Sequence, residues 1–203
     1  MISAAATAAT LPIKAPMTSN GRETEIKLAV PSAKGAARLL RSAGFRVAKR
    51  RVFEQNTAWD TSGQQLRRTS RLLRIRQAGA KSTLTFKGKP GLSKHKSREE
   101  LELEITDPAA LGAIFDRLGY RPSFRYEKYR TEYRDTGSGG TATIDETPIG
   151  VFVELEGGPA WIDRTARRLG FSERDYITDS YARLYLNWRK RSRVSTRDMI
   201  FRP

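Results

Sequence analysis

The chain has 203 residues, a net charge of +16, no cysteine and a single histidine, His95. Without cysteine, disulfides and thiolate metal sites are excluded, and one histidine leaves almost no room for a histidine metal centre or a catalytic triad. Any metal would be oxygen-bound, which points to a hard cation, Mg²⁺ or Mn²⁺, held by carboxylates.

Met1 to Asn20 is rich in Ala, Thr and Pro, carries one charge, Lys14, and lacks both the basic start and the long apolar core of a secretory signal. Residues 1–22 are therefore expected to be a disordered tail. No apolar run approaches the roughly 20 residues of a membrane-spanning helix, so the protein is expected to be soluble, cytoplasmic and without a membrane partner.

Eight segments are predicted as strands, at about 23–30, 49–59, 72–78, 82–88, 99–106, 125–135, 140–147 and 150–157, separated by short Gly/Pro/Ser/Asp punctuation. Tight connections between so many strands predict an antiparallel meander or barrel. Helical spacing appears in Pro31–Ala43, Pro108–Leu118, Ala160–Leu169 and from about Ser180 to Arg191. The first three helices each stop at a glycine followed by an aromatic, Gly44-Phe45, Gly119-Tyr120 and Gly170-Phe171, which is left-handed capping chemistry and not an internal repeat. Asp107-Pro108 supplies a capping carboxylate and a first-turn proline. The last stretch, 189–203, sets Arg189, Lys190, Arg191, Arg193, Arg197 and Arg202 against Asp198 and is expected to be a basic tail.

Strand alternation puts Glu23, Glu25 and Lys27 on one face and Ile26 and Leu28 on the other. The layout recurs in Arg74 and Arg76, in Thr83, Thr85 and Lys87, in Glu100, Glu102 and Glu104, in Lys128 and Arg130, in Asp145, and in Glu154 and Glu156. If helices cover the apolar faces from outside, the charged faces turn inward. An interior lined by six cations and eight carboxylates is costly unless the charges pair and a ligand completes them. The pattern alone is equally compatible with an open sheet whose charged face makes weak surface ion pairs. Under the inward arrangement the cations would clamp phosphate oxygens, and the carboxylates would hold one or two divalent metals.

The Glu-x-Glu-x-Lys at Glu23, Glu25 and Lys27 resembles the start of the CYTH family, the triphosphate tunnel metalloenzymes. Further pieces follow in family order: Trp59-Asp60-Thr61, Leu73-Arg74-x-Arg76, Thr85-Phe86-Lys87-Gly88, Glu102-Leu103-Glu104, Lys128-Tyr129-Arg130, Ile144 to Gly150, Glu154-Leu155-Glu156 and Asp179-Ser180-Tyr181. The resemblance covers about Glu23 to Trp188. It implies an α+β fold, an eight-stranded antiparallel β-barrel tunnel with helices packed outside, occupying residues 23–188. It further implies Mg²⁺ or Mn²⁺ and a triphosphate substrate such as tripolyphosphate, thiamine triphosphate or ATP. Lys27, Arg74, Arg76, Lys87, Lys128 and Arg130 would bind phosphate, while Glu23, Glu25, Asp145, Glu154 and Glu156, with Glu102 and Glu104, would form the metal side. The catalytic set expected is Glu23, Glu25, Lys27, Arg74, Arg76 and Lys87.

Hydrolysis needs no covalent nucleophile: cations spread the developing charge while a metal or carboxylate positions water. Two rivals stand beside it. One is cyclisation of ATP, with a ribose hydroxyl as the attacker. The other is a non-catalytic binder of polyphosphate or nucleic acid, suggested by the basic surplus, although the strand tyrosines are expected in the wall and not as exposed stacking platforms. Trp59 is expected in the core before it is expected to stack on a substrate ring. Gly88 to Lys94 lacks the ending of a phosphate loop and is expected, with His95 and Lys96, to be a basic rim loop. The sequence carries no signal about dimerisation and leaves a homodimer open.

Overall fold

The computed structural model describes residues 21–135, 139–192 and 194–202; most of the expected N-terminal tail, residues 1–20, lies outside the described residues. The elements are β1 (Arg22–Val30), α1 (Ala33–Ser42), β2 (Phe45–Thr61), α2 (Gln65–Arg68), β3 (Leu72–Ala78), β4 (Lys81–Lys87), β5 (Lys96–Ile105), α3 (Pro108–Arg117), β6 (Tyr120–Asp135), β7 (Thr141–Thr147), β8 (Gly150–Glu156), α4 (Pro159–Arg168) and α5 (Tyr181–Ser192). The strands close into an antiparallel barrel in the order β1-β5-β4-β3-β2-β6-β7-β8. Closure depends on β1, whose first half, Arg22–Glu25, pairs with β5, while Glu25–Val30 pairs with β8.

Glycine caps set the helix ends as the sequence predicts: Gly44, Gly119 and Gly170 have φ of 84°, 84° and 86°, a region that β-carbon-bearing residues enter at a cost. Asp107 caps α3 by accepting the Ala110 amide at 2.8 Å. The short α2 has no helical signature of its own. Its cause is Asp60, whose carboxylate accepts the amides of Thr61, Leu66 and Arg67 at 2.8–2.9 Å.

The main apolar core lies outside the barrel wall. Ile26 and Leu28 of β1, Ala142 and Ile144 of β7, and Val153 and Leu155 of β8 pack beneath Leu40 of α1 and Trp161, Ile162 and Ala166 of α4. With the wall's apolar side spent on the helices, alternation turns its charged side into the lumen. A second cluster, Tyr126, Phe152, Tyr181, Tyr185 and Met199, joins α5 to β6 and β8.

The basic C-terminal stretch is not a free tail. Met199 is fully buried, its amide donates to the Arg125 carbonyl at 3.0 Å, and its carbonyl accepts from the Glu127 amide at 2.9 Å. Asp198 accepts the Arg125 amide, and Arg197 donates to the Ser123 carbonyl. Met199→Ala is expected to cost about 2–5 kcal/mol in urea unfolding, the range for truncating a buried methionine; a loss within the scatter of surface substitutions would contradict this docking.

Candidate active site

The strand register builds the site by placing opposite charges side by side around the lumen. Lys27 stands opposite Glu154, Glu23 opposite Arg98, Glu25 opposite Lys96, Lys87 opposite Glu100, Glu54 opposite Lys128 and Arg130 opposite Asp145. These rows surround an open cavity of about 200 Å³, to which every strand but β7 contributes charged side chains, with Thr141 and Thr143 of β7, Ser180 and, from α5, Tyr181 among the rest of the lining.

Asp145 is the deepest anchor. It is fully buried and accepts from Lys128 Nζ at 2.7 Å, Arg130 Nε and Nη2 at 2.6 Å and the Tyr181 hydroxyl at 2.8 Å. Burial would push its carboxyl up, but Arg130 and Lys128 outweigh it and hold it at about 2. Tyr181, buried and donating to Asp145, is pushed well above an ordinary phenol.

On β1, Glu25 Oε1 is shared between Lys27 Nζ at 3.1 Å and Lys96 Nζ at 3.0 Å, and Lys27 also meets Glu154 at 3.2 Å. Despite burial, these carboxylates raise the Lys27 ammonium above its ordinary value. Lys96 has the weaker share: burial first, then Lys27 and Arg98, lower it to about 8. Glu23 holds Lys87 through both oxygens at 2.5 and 2.6 Å, with Arg98 Nε at 3.5 Å.

The β3 arginines are held more loosely. Arg74 donates to Tyr126 at 3.1 Å and to Thr85 at 3.0 Å but stands 4.0 Å from Glu102, and Arg76 meets Glu54 and Glu102 at 3.7 and 3.6 Å. Their Nε atoms, buried, have no hydrogen-bond partner among the described residues. A buried guanidinium with free donors suits an added oxyanion.

Glu156 is the converse, an acid short of cations. The register sets it directly opposite Glu25, and its side chain makes no ion pair or hydrogen bond among the described residues, with Lys87 as its main attraction. Burial first, then Glu23 and Glu25, push its carboxyl up to about 8.

Of the residues predicted for the site, Glu23, Glu25, Lys27, Arg74, Arg76, Lys87, Glu102, Lys128, Arg130, Glu154 and Glu156 all line the cavity. Asp145 lies beneath that lining, tied to the cations it orients. Glu104 is exposed and away from the cavity; it stands opposite Thr83 of β4 on the part of β5 that β1 does not pair. His95 is buried behind the wall, where its Nε2 meets Asp163 Oδ1 of α4 at 2.7 Å and fixes the β4–β5 loop. Trp59, half-buried and outside both apolar clusters, packs edge-on against Phe115 under α3. Sequence reasoning missed Lys96 and Arg98, which extend the same alternation N-terminally into a stretch taken for loop. It also missed Glu54, whose signal is a single charge in the alternation Glu54, Asn56, Ala58, and Glu132 and Lys49, which pair near the opening.

The family model of the CYTH domain matches residues 21–181. The chain belongs to the CYTH family. This CYTH chain is 31% identical over 136 residues, 66% of its length and 75% of the relative's, to a Methanocaldococcus jannaschii protein provisionally named an adenylate cyclase. Its fold is similar to that of a Pyrococcus horikoshii protein, with TM-score 0.69 and 26% identity over 82% of this chain and 99% of that one. A Hippeastrum protein, described as a provisional adenylyl cyclase with dominant triphosphatase activity, shares the fold at TM-score 0.57 and 22% identity, over 86% of this chain and 97% of that one.

Glu156 gives the CYTH barrel a testable pH dependence. A carboxyl raised from 4.5 to about 8 on folding binds its proton more tightly in the native state, so stability is lost as pH rises between those values. In chelator-treated protein, Glu156→Gln is expected to raise the melting temperature at pH 9 and to change it little at pH 4; a gain independent of pH would contradict the crowding of Glu156 by Glu23 and Glu25.

Proposed function

We propose that the protein is a metal-dependent triphosphatase that binds an inorganic or organic triphosphate in the barrel lumen and hydrolyses a phosphoanhydride bond. The observation that carries this reading is the division of the lumen. Loosely paired arginines on β3 face inward with free donors, while Glu156 and Glu25 crowd each other on the β1–β8 side.

The donor set on the acidic side is all oxygen, and its repulsion is the kind a divalent cation relieves. Among the described residues no three of these carboxylates already converge on one point; Glu23, Glu25, Glu154 and Glu156 would hold Mg²⁺ or Mn²⁺ by letting go of part of their present pairing with Lys27, Lys87, Lys96 and Arg130. When bound, the cation supplies Lewis-acid stabilisation to the phosphate chain. The remaining work belongs to side chains. Arg74 and Arg76 receive the phosphate oxygens and spread the charge that develops on the transferred phosphoryl group. Lys128 and Arg130, fixed by Asp145, present a second positive surface without reorganising. Water is the attacking group, and no covalent intermediate is required.

Hydrolysis is favoured over nucleotide cyclisation because the lining offers charge and hydroxyls but little surface for a base. Its aromatic members, Tyr126 and Tyr181, are already engaged with each other and with Phe124 and Phe152. The relative named an adenylate cyclase makes cyclisation the outcome to test against.

The test offers tripolyphosphate, thiamine triphosphate and ATP separately with Mg²⁺ or Mn²⁺ and follows phosphate release and nucleotide products. Metal-dependent phosphate release is expected; cyclic AMP with pyrophosphate would move the assignment to cyclase, and binding without turnover would leave a polyphosphate-binding protein. Arg76→Ala is expected to lower turnover by about 10²–10³-fold, the usual loss for a charge-stabilising donor, and a near-normal rate would contradict the role of β3.

A further inference from the structure

One row of side chains crosses four neighbouring strands and is not explained by the ion pairs. The register aligns Tyr126 of β6 with Asn56 of β2, Asn56 with Arg76 of β3, and Arg76 with Thr83 of β4. Asn56 is 1% exposed, lying between the cavity-lining Tyr126 and Arg76 without lining the cavity itself, and both atoms of its amide lack a hydrogen-bond partner among the described residues. Arg76 Nε and Thr83 Oγ1 in the same row are buried and unpartnered as well.

Tyr126 completes the pattern. It lines the cavity, and its hydroxyl accepts from Arg74 Nη1 at 3.1 Å, which leaves its own proton without an acceptor among the described residues. The other lumen phenol, Tyr181, already donates its hydrogen bond to Asp145. Burial raises the Tyr126 phenol, but Arg74 and Lys128 more than offset this and lower it, which makes its O–H the stronger donor of the two. The ring is fixed by stacking on Phe124 at 5.6 Å and by the chain around Met199.

Each unpartnered polar atom in a buried row costs stability unless something fills it. Tyr126, Asn56, Arg76 and Thr83 can all donate, and a row of donors is complementary to a group that only accepts. We propose that the Tyr126 hydroxyl and the Asn56 amide are neutral substrate-binding groups that hold a non-bridging phosphate oxygen between Arg74 and Arg76. The proposal rests on the triphosphate reading of the lumen. It assigns recognition of the phosphate chain to two uncharged side chains besides the cations.

The experiment titrates tripolyphosphate calorimetrically into the full-length protein, with chelator present to prevent turnover, for wild type, Tyr126→Phe and Asn56→Leu, and records the melting temperature of each. Tyr126→Phe keeps the ring and removes the donor, so affinity is expected to fall about tenfold or more, as for a hydrogen bond to a charged group, with a small drop in melting temperature because Arg74 Nη1 loses its acceptor. Asn56→Leu keeps the approximate volume and removes a buried amide without partners. It is expected to melt higher than wild type while binding tripolyphosphate about tenfold more weakly, a combination that a structural role would not produce. Wild-type affinity in either variant would overturn the proposal while leaving the triphosphate reading intact. Failure of the wild-type protein itself to bind tripolyphosphate, in chelator and also with Mn²⁺ in its place, would overturn both.

Discussion

The constraint on which the rest depends is that charges inside a closed barrel must be paired across strands. Removing a carboxylate or an ammonium from water costs several kcal/mol per ion even after relaxation, so a lumen filled with acids and bases is tolerable only if the register brings opposite signs together. The barrel does this by direct cross-strand neighbours, Lys27 with Glu154, Glu54 with Lys128, and Arg130 with Asp145. The same pairs make the register hard to slip. A shift of one residue in β1 would turn Ile26 and Leu28 into the lumen and Glu23, Glu25 and Lys27 under α1 and α4.

Pairing is uneven, and the unevenness gives the site its chemistry. Where it is complete, as at Asp145 with two cations and a phenol, the groups are held rigidly and offer oriented positive charge. Where it is loose, at Arg74 and Arg76, donors are left free for an oxyanion. Where like charges meet, at Glu25 and Glu156, one carboxyl is kept from ionising at neutral pH. A triphosphate with a divalent cation completes each deficiency with the opposite charge, which is why substrate and metal are argued together. Outside the wall, α1 and α4 seal the β1–β8 side, and α5 with the Met199 segment closes over β6 and β8, so the charges work at low solvent exposure.

Much of this was legible in the sequence because strand alternation has a period of two, and seven segments each put charge on one face and aliphatics on the other. What alternation could not say is which way those faces pointed; the resemblance of ordered motifs to the CYTH family settled that choice, and the closed barrel agrees. Boundaries failed where pairing continued past the local signal. Lys96 and Arg98 lie in a strand because β1 pairs with them, although the preceding Gly91 to Lys94 reads as loop. Asn56 was invisible because a single amide in a strand carries no pattern, and its significance arises only when the register places Tyr126 and Arg76 on either side. Glu104 shares the alternation of Glu100 and Glu102 and faces Thr83 of β4, but it stands on the stretch of β5 that β1 leaves unpaired. The basic C-terminal stretch reads as a tail because its few docking residues, Asp198, Met199 and Phe201, are scattered among arginines and carry no periodic pattern.

The most direct test of the account is a structure of the protein bound to a non-hydrolysable triphosphate with Mn²⁺. The phosphate chain is expected inside the lumen, with its oxygens on Arg74 and Arg76 and the metal against Glu25 and Glu156. Phosphates bound on the outer basic surface, with the lumen ion pairs unchanged, would contradict it.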